Sequence, residues 1–214
     1  MKKIKNILFV TATTILIASC GGKKEEPVEE LNMKNNPFAA LQKIGQNMGQ
    51  TANKQQEILQ KRREKGDTLA IPYAELQKYL PAAPSGYAAE EPTGATINMG
   101  SGSYSNAEIK YKKGEDWIKI TIADYNQAAG LYTVATSMWA LGISVDTPEE
   151  KAGGIKMDGD IGGWEVYKKK SKDASVVLGV GYRFWVSVEA SNQDGTDKVK
   201  EIAKSLDLKK LSEM

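Results

Sequence analysis

Histidine is absent from this 214-residue chain. Without an imidazole there is no His-based catalytic triad, no His-ligated zinc and no haem with a proximal histidine. Cysteine is nearly absent too. The one copy is Cys20, so no disulfide can form within the chain and the fold rests on its core. Neither sign of charge dominates, since 29 Lys and Arg stand against 27 Asp and Glu. The clustered positive charge on which nucleic-acid binding relies is therefore missing, and no nucleic-acid partner is expected. Long apolar runs are scarce as well. The main one, Ile7 to Ile17, is interrupted by Thr11, Thr13 and Thr14 and falls short of the ~20 residues that a bilayer-spanning helix needs. No catalytic or cofactor motif stands out in the remainder. The sequence predicts no cofactor, no catalytic group and no metal site, and it favours a non-enzymatic protein.

The first twenty residues do carry a plan. Lys2, Lys3 and Lys5 give a positive start, the apolar segment follows, and the small residues Ala18 and Ser19 precede Cys20. That is the order of a secretory signal. Ile17-Ala18-Ser19-Cys20 resembles the lipobox of bacterial lipoproteins: an aliphatic residue, two small residues and a cysteine. The resemblance implies that the Cys20 thiol takes a diacylglycerol, that the signal at 1–19 is removed, and that the new amine is acylated. Cys20 would then open the mature chain and hold it to a membrane. Each buried methylene adds ~0.8 kcal/mol of membrane affinity, and two or more acyl chains anchor stably. Loss of the three signal lysines turns a formal charge of +2 into a slightly acidic mature chain. The plainer alternative is an ordinary signal with a chance cysteine.

Residues 20–36 are charged and nearly free of apolar side chains, the composition of a disordered tether. Its start, Lys23-Lys24-Glu25-Glu26, resembles the export signal of surface lipoproteins in Bacteroidetes-type bacteria, which implies an outer-membrane protein exposed at the cell surface; a periplasm-facing location is the other reading. Asn36-Pro37 then opens a helix. Phe38, Leu41, Ile44, Met48, Ala52 and Leu59 recur at helical spacing, basic residues gather near its end, and Gly66 closes it. The stripe is narrow and the remainder Gln-rich, so 37–66 reads as an amphipathic spacer helix. Gly45 and Gly49 offer a second reading, in which residues 38–64 self-associate by close small-residue contact.

From residue 67 the composition becomes that of a globular domain, long enough to bury a core. Tyr73 to Leu80 presents Leu76, Tyr79 and Leu80 on one helical face, stopped by Pro81. The run Ile71-Pro72-Tyr73-x-x-Leu76-x-x-Tyr79-Leu80-Pro81-x-x-Pro84-x-Gly86-Tyr87, followed by Ser105-x-Ala107-x-x-x-Tyr111, resembles the start of an uncharacterised domain of bacterial envelope proteins. In that family Trp is usual where Tyr87 stands, and no activity comes with it. Ala107, Ile109 and Tyr111 alternate with polar residues, Lys113-Gly114-Glu115-Asp116 makes a turn, and Ile118, Ile120 and Ile122 alternate again, which predicts a hairpin with one wet face. A helix is expected over 128–141, with Leu131, Val134, Ala135, Met138 and Leu141 inward. Strands are expected near 164–168, 175–180 and 184–190, with a short one at 155–157. A final helix carries Val199, Ile202, Ala203 and Leu206. Grouped strands and helices favour an α+β fold, an antiparallel sheet with helices packed mainly on one face and a long N-terminal helix before it.

Candidate sites are few. Gly100-Ser101-Gly102-Ser103 lacks the Lys and following helix of a phosphate-binding loop and reads as a flexible loop. Asp158-Gly159-Asp160 and Asn192-x-Asp194-Gly195-x-Asp197 hold oxygen ligands but not EF-hand spacing; turn and helix-capping chemistry accounts for them. If Ile118, Ile120 and Ile122 and Phe184, Val186 and Val188 point to the core, then Trp117, Lys119, Tyr125, Arg183 and Trp185 fall on the other face. Aromatics beside Lys and Arg are a common binding composition; the competing reading is that other parts of the chain cover them. The functional expectation is a membrane-anchored envelope lipoprotein that binds another envelope component. The alternatives are a carboxylate-based, glycan-directed hydrolase and an oligomerising structural lipoprotein.

Overall fold

The computed structural model describes residues 37–99, 102–126, 128–136, 139, 144–157 and 161–214. The signal at 1–19, the lipobox Ile17, Ala18, Ser19 and Cys20, and the tether 20–36 lie outside the described residues, as does Asp158-Gly159-Asp160.

The hairpin is the simplest element to derive. β3 (Gly102–Lys113) and β4 (Asp116–Asp124) pair antiparallel, with Ile109 opposite Ile120 and Lys113 opposite Asp116. The two-residue turn between them needs a positive φ at its first central position, and Gly114 supplies it at 59°. Alternation then sends Ile118, Ile120 and Ile122 to one face, where they are 1%, 0% and 0% exposed. β1 (Ala88–Ala89) and β2 (Thr93–Met99) both pair with the far side of β3.

After β4 the chain passes through α3 (Ala129–Thr136) to the opposite edge of the sheet. It returns as a meander of β5 (Ser144–Asp146), β6 (Glu150–Lys156), β7 (Gly162–Lys168), β8 (Asp173–Val180) and β9 (Phe184–Ala190). β9 closes the sheet by pairing with β4, with Val188 opposite Ile120 and Val186 opposite Ile122. All nine described strands thus form one antiparallel sheet, with β4 and β9 joining its two halves.

The apolar face of the sheet is covered by α4 (Asp197–Ser205), α5 (Leu208–Ser212) and α2 (Tyr73–Leu76), which bury Val199, Ile202, Ala203, Leu208, Leu211 and Leu76 against it. Each fully buried aliphatic or aromatic side chain contributes about 1.5–3 kcal/mol. The helix expected over 73–80 is α2 followed by a 3-10 turn at Gln77–Tyr79. α3 is different, for it lies against the reverse face. A Cβ added to Gly179 there would come within 2.4 Å of the Tyr132 hydroxyl and 2.8 Å of Trp139. α3 spans 129–136 within the expected 128–141. Its side chain buried here is Tyr132; the predicted inward residues Leu131, Val134, Ala135, Met138 and Leu141 lie outside what is described.

The long N-terminal helix α1 runs Pro37–Glu64. Of the predicted stripe, the side chains of Phe38, Leu41, Ile44 and Met48 lie outside the description, and Ala52 and Leu59 are half-buried. Among the described side chains of this helix the buried ones are Gln55, bonded to Thr133 at 2.6 Å, and Arg62, which donates to the Gly181 carbonyl at 2.6 Å. A Cβ on Gly49 would touch nothing.

Candidate functional site

The strand registers decide which of the five predicted face residues stand together. Trp117, Lys119 and Thr121 of β4 lie on the reverse face beside Lys112, Lys110 and Glu108 of β3. Lys119 and Thr121 face Glu189 and Ser187 of β9 on their other side. The rows are internally paired. Lys119 bridges to Glu189 at 2.8 Å, Thr121 donates to Glu108 at 3.1 Å, and the Lys110 ammonium sits 5.6 Å over the Trp117 ring. The Glu189 hydrogen bond and charge raise the Lys119 ammonium above its ordinary pKa, against the opposing effect of burial. Trp117 and Lys119 are thus a half-buried aromatic-and-charge patch at one end of the sheet.

Trp185 is not part of that patch. It pairs with Ala123, six residues along β4 from Trp117, a separation of about 20 Å at strand rise. Its row continues to Gly179, the residue on which Tyr132 and Trp139 rest. Tyr125 sits at the same end, in an edge-to-face cluster with Tyr104 at 5.0 Å and Tyr132 at 6.3 Å. Burial raises the Tyr125 and Tyr104 phenols above their ordinary pKa. At this end Tyr125 and Trp185 are half-buried, and Tyr132 of α3 stands against Tyr125.

Arg183 does not face solvent at all; it is 3% exposed. Extending the β9 alternation back by one residue misplaces it, because the chain at 181–183 is turning and Tyr182 has φ 55°. Its guanidinium makes a two-pronged pair with the fully buried Asp124, Nε to Oδ1 at 2.9 Å and Nη2 to Oδ2 at 2.8 Å. Nη1 adds Asp67 at 2.8 Å and the Met214 carbonyl at 3.2 Å. Planar, forked donors matched to a carboxylate make the strongest such pairs.

Around this pair a strap of backbone is fastened to the sheet. The Ile71 amide donates to Asp124 at 2.8 Å, and the Ala70 amide donates to the buried Ser103 hydroxyl at 2.7 Å. Ser105 donates to the Ile71 carbonyl. Asn126 donates to Asp67 at 2.7 Å and to the Leu69 carbonyl at 3.0 Å. Ser103, expected in a flexible loop, is instead a strand residue holding this strap; Gly100 and Ser101 lie outside the description. Arg62 enters the same neighbourhood, its guanidinium held below the ordinary arginine pKa by burial first and the nearby Arg183 second. Sequence reasoning missed Arg62, Asp67 and Asp124, and the signal was thin. A charged residue closing an alternating apolar strand, as Asp124 closes β4, is the one clue.

A hollow of about 590 Å³ lies between the start of α4 and strands β6 and β7. Glu165 at its wall accepts from Thr196 at 2.5 Å and pairs with Lys200 at 3.0 Å; Lys200 also reaches Asp197 at 3.0 Å. Burial weakens the Lys200 charge, but the hydrogen bonds and charges of Asp197 and Glu165 outweigh it and raise its pKa. Thr196, at the start of α4, bonds Glu165 and makes no side-chain cap to the helix. Asp194 and Asp197 are 95% and 94% exposed. A lysine standing between two carboxylates is the opposite of the apolar setting in which a glycosidase acid works. No family model matches the chain, and no curated protein or solved structure resembles it.

Proposed function

We propose that the chain is an envelope lipoprotein, acylated at Cys20 and anchored to the outer membrane, whose sheet domain serves as a non-enzymatic interaction module facing the cell surface. One observation carries this reading: the basic start, the short apolar run and Ile17-Ala18-Ser19-Cys20 occur in the right order in a chain with no other cysteine. The Lys23-Lys24-Glu25-Glu26 segment supports the surface face. The Trp117–Lys119 patch, half-buried with an aromatic ring beside two lysines, supports a binding role over a catalytic one. The lysine-neutralised carboxylates of the hollow weigh against glycan hydrolysis. The test is fractionation of cells with mass spectrometry of the product. Wild-type chain is expected with outer membranes, beginning at an acylated Cys20, and Cys20→Ala is expected to lose the acyl mass and the membrane association. A wild-type product that keeps residues 1–19 and a bare thiol would overturn the reading.

A further inference from the structure

The sheet ends in two edges that are protected unequally. At one lies β5, described over Ser144–Asp146; Asp146 is tied to Lys169 at 2.6 Å, and Pro148 follows two residues on. Charge and proline are usual devices that keep an edge from pairing with another chain. At the other, β2 pairs with β3 on one side, and no described strand pairs with its outer side. Its seven residues, Thr93–Met99, include no charge and no proline. Thr93, Gly94, Ala95, Ile97 and Asn98 are all exposed.

Two of the three large hydrophobic side chains left exposed among the described residues lie at this same margin. Ile97, 46% exposed, is on the strand itself. Tyr73, 41% exposed, donates its amide to Thr96 at 2.9 Å and packs so closely on Gly94 that an added Cβ would be 3.0 Å from it. The third, Leu69, lies on the strap nearer the end of β4, where Asn126 donates to its carbonyl at 3.0 Å. An open row of backbone groups flanked by apolar side chains is what strand addition uses, the main chain supplying affinity and the side chains selecting the partner.

We propose that this edge is a self-association site, where a second copy of the chain adds its own β2 antiparallel to the first across a two-fold axis. Antiparallel pairing centred on Thr96 sets Thr96 beside Thr96, Ala95 beside Ile97, Gly94 beside Asn98 and Thr93 beside Met99. Near such an axis a charged residue meets its own like-charged copy or lies close to it, which is destabilising; β2 brings none. Glu90 and Glu91 fall outside the seven paired positions, and Glu90 is already neutralised by Lys112 at 2.5 Å. A charged peptide, by contrast, would find nothing on β2 to select it. Because the β5 edge is guarded, pairing closes at two copies and does not propagate. The proposal does not depend on the lipid anchor.

Disulfide cross-linking of the full chain in whole-cell extracts, membrane and soluble fractions together, tests it. Cys20 is the only native cysteine, so the wild type provides the blank whether or not that thiol is acylated. Under mild oxidation Thr96→Cys is expected to run as a reducible dimer, as are Ala95→Cys and Ile97→Cys expressed together, whereas Val145→Cys on the guarded edge stays monomeric. Adding Ala95→Lys to Thr96→Cys should lower the dimer fraction about tenfold, with circular dichroism showing the fold retained. Absence of dimer in both the Thr96 and the Ala95/Ile97 experiments overturns the proposal. So does equal cross-linking at Val145, or a Thr96 dimer indifferent to the added lysine.

Discussion

Asp124 and Arg183 satisfy each other away from water, and removing either leaves the other stranded. Breaking a buried pair in this way costs about 3–5 kcal/mol. Asp124→Ala is expected to lose that much in urea unfolding, because Arg183 and the Ile71 and Asn126 amides all lose their acceptor. Lys119→Ala removes a partly exposed bridge, whose side chains are 31% and 34% accessible, and should cost at most about 1 kcal/mol. Equal losses in the two variants would show that burial does not set the value of these pairs. The sequence could not rank them, since both are a cation and an acid near apolar strands. Parity put Lys119 on the correct face because β4 is regular there. It failed for Arg183 because parity has no meaning in a turn.

Elements were legible in proportion to how strongly one face is buried. The β3–β4 hairpin and β8 and β9 declare themselves by alternation, since every second residue is buried in the core. β1, β2 and β5 do not. An edge strand with little to bury, such as Thr93–Met99, has no hydrophobic period to detect. On α1, a search for apolar residues passes over Gln55 and Arg62, the buried side chains among those described there. Where α3 sits was hidden as well, because it depends on an empty space at Gly179. Gly179→Ala should therefore drive Tyr132 and Trp139 off the reverse face and cost about 1–3 kcal/mol. The nearest obstacle is the phenolic oxygen at 2.4 Å. Adding Tyr132→Phe should recover part of the loss in thermal unfolding, and no recovery would refute that contact as the cause.

At the scale of the whole molecule, the sheet is held without disulfides or imidazoles, and its sensitivity to pH lies in part with buried phenols. Burial raises the pKa of Tyr104, Tyr111 and Tyr125 above the ordinary value of 10.0, with neighbouring Tyr125 adding to the effect on Tyr104. Below pH ~10 the phenols are protonated in both folded and unfolded chains, so the stability they confer is fully present. Above it the unfolded chain releases its protons first. Stability should then fall as the pH climbs through the raised native values. Urea midpoints at pH 9 and 11, with phenolate absorbance followed in parallel, check the sign; an unchanged midpoint with these phenols already ionised at pH 10 would contradict it.

The strap also fixes an order of events. Arg62 finds its acceptor 119 positions later in the chain, and Asp67 finds Arg183 116 positions later. A chain is made from its amino end, so the segment that leads must wait, unfastened, until the last hairpin has arrived. Its fastening is a late act of folding, and anything that meets residues 62–71 before then meets them loose.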